Sequence, residues 1–121
     1  MKVIKAQTAG FCFGVKRAVD QVYDLAAKDK QPVYTYGPII HNEEVVRDLE
    51  EKGVQVLNGK EDLLSVKKGT VVIRSHGVAE EVYDLICENG LNLADATCPF
   101  VKKIHKIAME KAEEGAFLVV I

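Results

Sequence analysis

Apolar positions change their period repeatedly along this chain, and each change marks an element. Met1 to Ala6, built on the run Val3-Ile4-Lys5-Ala6, reads as a short strand. From there Val15, Ala18, Val19, Val22, Leu25 and Ala26 recur at helical spacing, which predicts an amphipathic helix broken by Lys28-Asp29-Lys30-Gln31. Pro32 to Tyr36 is a β-branched and aromatic second strand, with proline at its first residue where no ladder donor is lost, and Gly37-Pro38 ends it. Asn42 is suited to cap a helix that starts with Glu43-Glu44, carries Val45, Val46 and Leu49 inward, and closes at Gly53. Val54 to Leu57 is a third strand, Asn58-Gly59 turns the chain, and Glu61 to Val66 forms a short helical turn.

Thr70 to Arg74 is a continuous β-branched run, the pattern of a strand covered on both faces. A helix from Ala79 to Glu88, with Val82, Leu85 and Ile86 inward, stops at Asn89-Gly90, and Leu91 to Ala94 is a brief fifth strand. The last helix runs from Pro99 to Glu114 on the period of Val101, Ile104, Ile107, Ala108 and Ala112; Ala116 to Ile121 is a sixth strand. Because no polar tail follows that strand, the sequence is expected to stop inside a buried element, as a truncated chain. Strands alternating with helices imply right-handed parallel crossovers, so the expected fold is α/β: an open, mostly parallel sheet with helices on both faces, in one domain spanning residues 1–121.

Composition narrows the classes without choosing among them. With 48% apolar and 28% charged residues the chain has a globular balance, and its net charge of -2 with interspersed signs leaves no basic stripe for nucleic acid. No apolar run approaches the ~20 residues of a membrane span, and the first residues lack the signal-peptide pattern. A cytoplasmic protein with no membrane partner is expected. Three cysteines without an export signal point to metal, redox or core use rather than a disulfide framework.

The candidate chemistry gathers where strands hand over to helices. Cys12 lies in Gly10-Phe11-Cys12-Phe13-Gly14 at the start of the first helix, and Cys98 precedes Pro99 at the start of the last. Helix starts favour anions and thiolates, so both cysteines are candidate metal ligands or nucleophiles. His41 and His76 follow the second and fourth strands, and in open parallel sheets ligands bind outside the carboxyl ends of the strands. All four residues are therefore expected at one sheet edge. Cys87, late on a crossover helix, is expected toward the opposite edge, about 15 Å or more away for strands of five residues, as a core or half-buried thiol. His105 stands among Lys102, Lys103 and Lys106 and reads as a solvated-face residue; Lys16 and Arg17, at the positive end of the first helix where cations are unfavourable, read as a solvated pair ahead of the alternative, attraction to an anion in the site.

These residues leave several chemistries open. Zinc lacks the close ligand pairs of a finger, and a dithiol centre lacks C-x-x-C. A phosphate site finds support in the glycine-rich first turn, and an iron–sulfur cluster wants three or four thiolates where two are at hand. A stand-alone α/β module that holds a phosphorylated ligand or a metal without redox chemistry competes with any enzyme reading.

Four segments in order carry a resemblance: Ala9-Gly10-Phe11-Cys12-Phe13-Gly14-Val15, His41-Asn42, Ser75-His76-Gly77-Val78 and Asp95-Ala96-Thr97-Cys98-Pro99. Together they closely resemble the N-terminal domain of the hydroxymethylbutenyl diphosphate reductase family, over the whole chain. The resemblance implies one of three similar α/β domains around a 4Fe–4S iron–sulfur cluster, in an oxidoreductase of non-mevalonate isoprenoid synthesis that removes the allylic hydroxyl of its diphosphate substrate. It implies that Cys12 and Cys98 are cluster ligands, that His41 and His76 contact the diphosphate, and that electrons come from a donor such as ferredoxin or flavodoxin. By the same resemblance the third cysteine ligand and the proton donor lie in later domains, so no catalytic residue is expected in this stretch and the chain alone is expected to be inactive.

Overall fold

The structure, a computed structural model, describes residues 1–119. Nine elements follow in order: α1 (Phe13–Lys28), β1 (Val33–Tyr36), α2 (Glu43–Glu51), β2 (Gln55–Leu57), α3 (Lys60–Ser65), β3 (Thr70–Ile73), α4 (Glu80–Glu88), β4 (Asn92–Asp95) and α5 (Pro99–Glu113). The four strands form one all-parallel sheet in the order β2-β1-β3-β4, with Tyr34 paired to Gln55 and to Val71, and Val71 to Leu93.

Helices cover both faces, as the periodicity predicts. On one face Ala18, Val19 and Val22 of α1 and Leu49 of α2 pack on Val33 and Val72. On the other, Leu63 of α3 and Val82 and Ile86 of α4 pack on Tyr34, Val71 and Ile73. Alternate residues of β1 and β3 thus feed opposite cores, and all four residues of β3 are buried. The turn into β3 needs glycine at Gly69: its φ is +125°, and a Cβ there would fall 2.4 Å from the Pro32 carbonyl oxygen. Asn42 caps α2 as expected, its side-chain oxygen accepting from the Val45 N–H at 3.2 Å.

Three expectations are corrected. Met1 to Ala6 forms no strand and is exposed throughout, with Val3 and Ile4 each 80% accessible. A strand exists only through a neighbour's ladder, and among the described residues this segment pairs with none. Residues 116–119 likewise form no strand and are exposed, while Val120 and Ile121, the end of the expected sixth strand, lie outside the described residues. Finally, α5 is a helix of the expected length but buries no residue, and Phe100, Ile104, Ile107 and Met109 are exposed along it.

Candidate functional site

Strand order decides which loops are neighbours. The chain leaves β1 toward β2 on one side and later returns to β3 on the other, so the winding reverses between β1 and β3, where the loops at the carboxyl ends diverge and leave a crevice. His41 lies on the loop after β1 and His76 on the loop after β3, so the two histidines flank that point. Both are exposed, and His41 borders an open groove of about 540 Å³ with Pro38, Asn42 and Arg47. A somewhat larger groove, about 660 Å³, follows the outer face of α1, contains neither cysteine and has its lysines paired along the helix (Lys16 with Asp20, Lys28 with Asp24). The sheet edge is therefore the candidate site.

Cys98 reaches this edge on a rigid support. Past the end of β3 and β4 the ladder continues, with the Ala96 N–H donating to the Ile73 carbonyl at 3.0 Å and the Cys98 N–H to the Ser75 carbonyl at 2.9 Å. The second bond ties the Cys98 loop directly to the residue before His76. Thr97, 1% exposed, has its polar groups met: its N–H and hydroxyl both donate to Asp95 Oδ1, at 2.9 and 2.5 Å, and its carbonyl accepts from Arg17 Nη1 at 3.2 Å. Since the one hydroxyl proton of Thr97 goes to the carboxylate, the Tyr83 hydroxyl, 3.3 Å away, is the donor in the remaining bond. Burial pushes the Asp95 carboxyl up, but the hydrogen bonds from Lys102 and Thr97 outweigh it and hold the group below its ordinary value.

Cys12 arrives by a different route. The strand expected before it is absent, yet α1 leads into the amino end of β1, so its own amino end lies at the carboxyl edge of the sheet. Gly14, in the first turn of α1, is buried against Cys98: a Cβ on Gly14 would sit 2.6 Å from Cys98 Sγ. Cys12 and Cys98 are the N-cap residues of α1 and α5, neither making a side-chain capping bond, so each thiol stands at the positive end of a helix with first-turn N–H groups beside it. The structure thus brings the first turn of α1, two residues past Cys12, against Cys98 and bonds the Cys98 loop to the His76 loop, while the His41 loop follows the neighbouring strand β1. Among the described residues no three of His, Cys, Asp and Glu stand close enough to hold a metal ion.

The outlying residues behave less simply. Cys87 lies near the end of α4, which leads into the amino end of β4, and so at the far edge as expected; it is exposed rather than buried, because Val82 and Ile86 take the inward face. His105 is exposed, yet its Cε1 would stand 3.0 Å from a Cβ on Gly77, against the His76 loop. Arg17 is no solvated residue, since it holds the Thr97 carbonyl. Sequence reasoning also passed over Arg74, whose guanidinium reaches across to Gly37 and whose buried Nε finds no hydrogen-bond partner among the described residues. The spacing Asp95-x-Thr97, a carboxylate two residues before an N–H it can accept from, was the one local signal of the clamp.

Comparison with known proteins identifies the frame that carries this site. The family model described as LytB protein matches residues 3–121. The chain belongs to the LytB family. Along its whole length it is 48% identical to the 4-hydroxy-3-methylbut-2-enyl diphosphate reductase of Alkaliphilus oremlandii, and 43% identical to that of Caldanaerobacter subterraneus. It covers 43% and 42% of those two proteins, so it spans less than half the length of the curated LytB relatives it matches. In three dimensions it is similar to the solved structure of (E)-4-hydroxy-3-methyl-but-2-enyl diphosphate reductase, the terminal enzyme of the non-mevalonate pathway, with a TM-score of 0.79, 43% identity, and 95% of this chain and 40% of that one covered. The reductase of Plasmodium falciparum is similar at a TM-score of 0.80 and 30% identity, over 89% of this chain and 33% of that one.

Proposed function

We propose that this chain is the N-terminal domain of a reductase that removes the allylic hydroxyl of hydroxymethylbutenyl diphosphate, giving isopentenyl and dimethylallyl diphosphates and water. The observation that carries the reading is the approach of α1 to Cys98 at Gly14, which sets two helix N-cap cysteines at the sheet edge that also carries the His41 and His76 loops. Two thiolates at two positive helix ends suit part of the anchorage of an anionic 4Fe–4S cluster, which when bound supplies electrons and a Lewis-acidic iron. Cys12 and Cys98 would hold it; a third cysteine and the proton donor would come from the part of the reductase beyond this stretch.

The residues of this chain bind and orient. His41 and His76 donate imidazole N–H bonds to diphosphate oxygens, fixing the anion at the mouth of the β1–β3 crevice. The Asp95–Thr97–Arg17 clamp keeps the Cys98 backbone still while the substrate is held. Two electrons from a ferredoxin- or flavodoxin-type donor and two protons balance cleavage of the C–O bond and formation of the new C–H bond. A cytoplasmic location goes with such a donor.

The test is anaerobic reconstitution of the full-length protein with iron and sulfide, before and after Cys12→Ser and Cys98→Ser. Absorbance near ~400 nm and turnover of the diphosphate in wild type, both lost in each variant, support the proposal. Cysteine variants that keep the absorbance refute it, and zinc retention with unchanged phosphate binding in Cys12→Ser replaces it with a non-redox binding module. The 121-residue chain alone is expected to show no turnover.

A further inference from the structure

We infer that Gly14 is a positioning residue for the two thiols, present because any side chain there would drive Cys98 and the start of α1 apart. The inference rests on the reading of Cys12 and Cys98 as cluster ligands. Gly14 lies within α1, is buried, and is not among the residues with positive φ, so no turn geometry calls for glycine. Glycine is disfavoured against alanine in a helix, and at this position backbone conformation returns nothing for it. Space is what remains. A Cβ on Gly14 would lie 2.6 Å from Cys98 Sγ and 2.8 Å from Cys98 Cβ, well inside the 3.4–4 Å of ordinary contact.

Rotation of the Cys98 side chain relieves the first contact but not the second, because Cβ moves only with the backbone. That backbone is tied down: the Cys98 N–H donates to Ser75, its carbonyl accepts from the Lys102 N–H, and the preceding carbonyl is held by Arg17. An alanine at Gly14 therefore shifts the first turn of α1 by several tenths of an ångström, and Cys12, the cap of that turn, moves with it. The distance between the two sulfurs, which one cluster must bridge, changes as a result.

The experiment uses the anaerobically purified full-length protein with Gly14→Ala, Cys98→Ser and Gly59→Ala, the last a control whose Cβ would meet nothing within 4 Å. Iron and acid-labile sulfide content, the rate of iron loss to a chelator and the electron paramagnetic resonance spectrum of the reduced protein are measured for each. Gly14→Ala is expected to lose iron about tenfold faster or more, the effect typical of disturbing groups that orient metal ligands, with an altered spectrum, while Gly59→Ala matches wild type. Should Gly14→Ala fold poorly, the melting temperature of the metal-free protein is compared with that of Gly14→Ala in a Cys98→Gly background, where the clash is gone and the loss should vanish. Wild-type iron content, lability and spectrum in Gly14→Ala overturn the inference, as does equal damage from Gly59→Ala or a loss of stability that persists in the Cys98→Gly background. If Cys98→Ser keeps its full iron content, it is the ligand assignment that fails, whatever Gly14→Ala does.

Discussion

Replacing Asp95 by asparagine isolates what holds the Cys98 loop. In the wild-type chain the carboxylate accepts two bonds from Thr97 and one from Lys102, with Asp95 only 22% exposed and Lys102 51% exposed. An amide oxygen can still accept from Thr97, but as neutral rather than charge-assisted bonds, a loss of about 0.5–1 kcal/mol for each of the two. The amide nitrogen then faces the Lys102 ammonium, and the half-exposed ion pair is lost at a further ~0.5 kcal/mol. The sum is about 2 kcal/mol, which for a urea slope of 1–3 kcal/mol/M lowers the unfolding midpoint by roughly 1 M.

The pH dependence supplies an independent check on the sign. Burial opposes ionisation of Asp95, but its donors win and its folded-state pKa is depressed. The carboxylate therefore contributes its stability above the unfolded value of about 3.9 and loses it as pH falls through the lower folded-state value. Urea titrations under reducing conditions at neutral pH and near pH ~3 should show a gap of about 2 kcal/mol that narrows on acidification. A neutral-pH gap under ~0.5 kcal/mol, or one that stays constant into the acid range, refutes the account of the clamp.

Three further variants probe the frame. Gly69→Ala places a Cβ 2.4 Å from the Pro32 carbonyl oxygen at a φ of +125°, and should destabilise the chain by about 3 kcal/mol or more in the same titration. Thr35→Val removes a buried hydroxyl that has no hydrogen-bond partner among the described residues, and is expected to leave stability unchanged or raise it by up to ~1 kcal/mol. Ile104→Glu with Ile107→Glu, on the uncovered face of α5, should alter the chain's unfolding free energy by no more than ~0.5 kcal/mol while reducing any self-association seen by sedimentation.

What could be read from sequence was whatever left a local period. The helices α1, α2 and α4 and the buried strand β3 each carry their own pattern, and the Asn42 cap follows from one residue type beside an apolar run. Met1 to Ala6 carries the pattern of a strand as well, but a pattern states a capacity and the ladder that would realise it belongs to another segment. The same distinction holds for α5, whose helix was legible and whose lack of cover was not. At the site, chain order placed His41, His76, Cys12 and Cys98 at one edge, whereas which loops lie side by side came from the strand order and from contacts such as Arg17 to Thr97, 80 positions apart. Contacts across such separations impose no periodicity, which is why Gly14 read as turn chemistry and Arg17 as a surface charge.

That separation between Arg17 and Thr97 also has a meaning in time. A ribosome adding about 5–20 residues per second needs roughly 4–16 s to pass from one to the other, 80 positions on. Through that interval α1 is made, but the loop that Gly14 fits against has yet to be synthesised. Under the proposed function, delivery of a cluster to Cys12 and Cys98 is in consequence an event that follows the making of this region and cannot proceed alongside it.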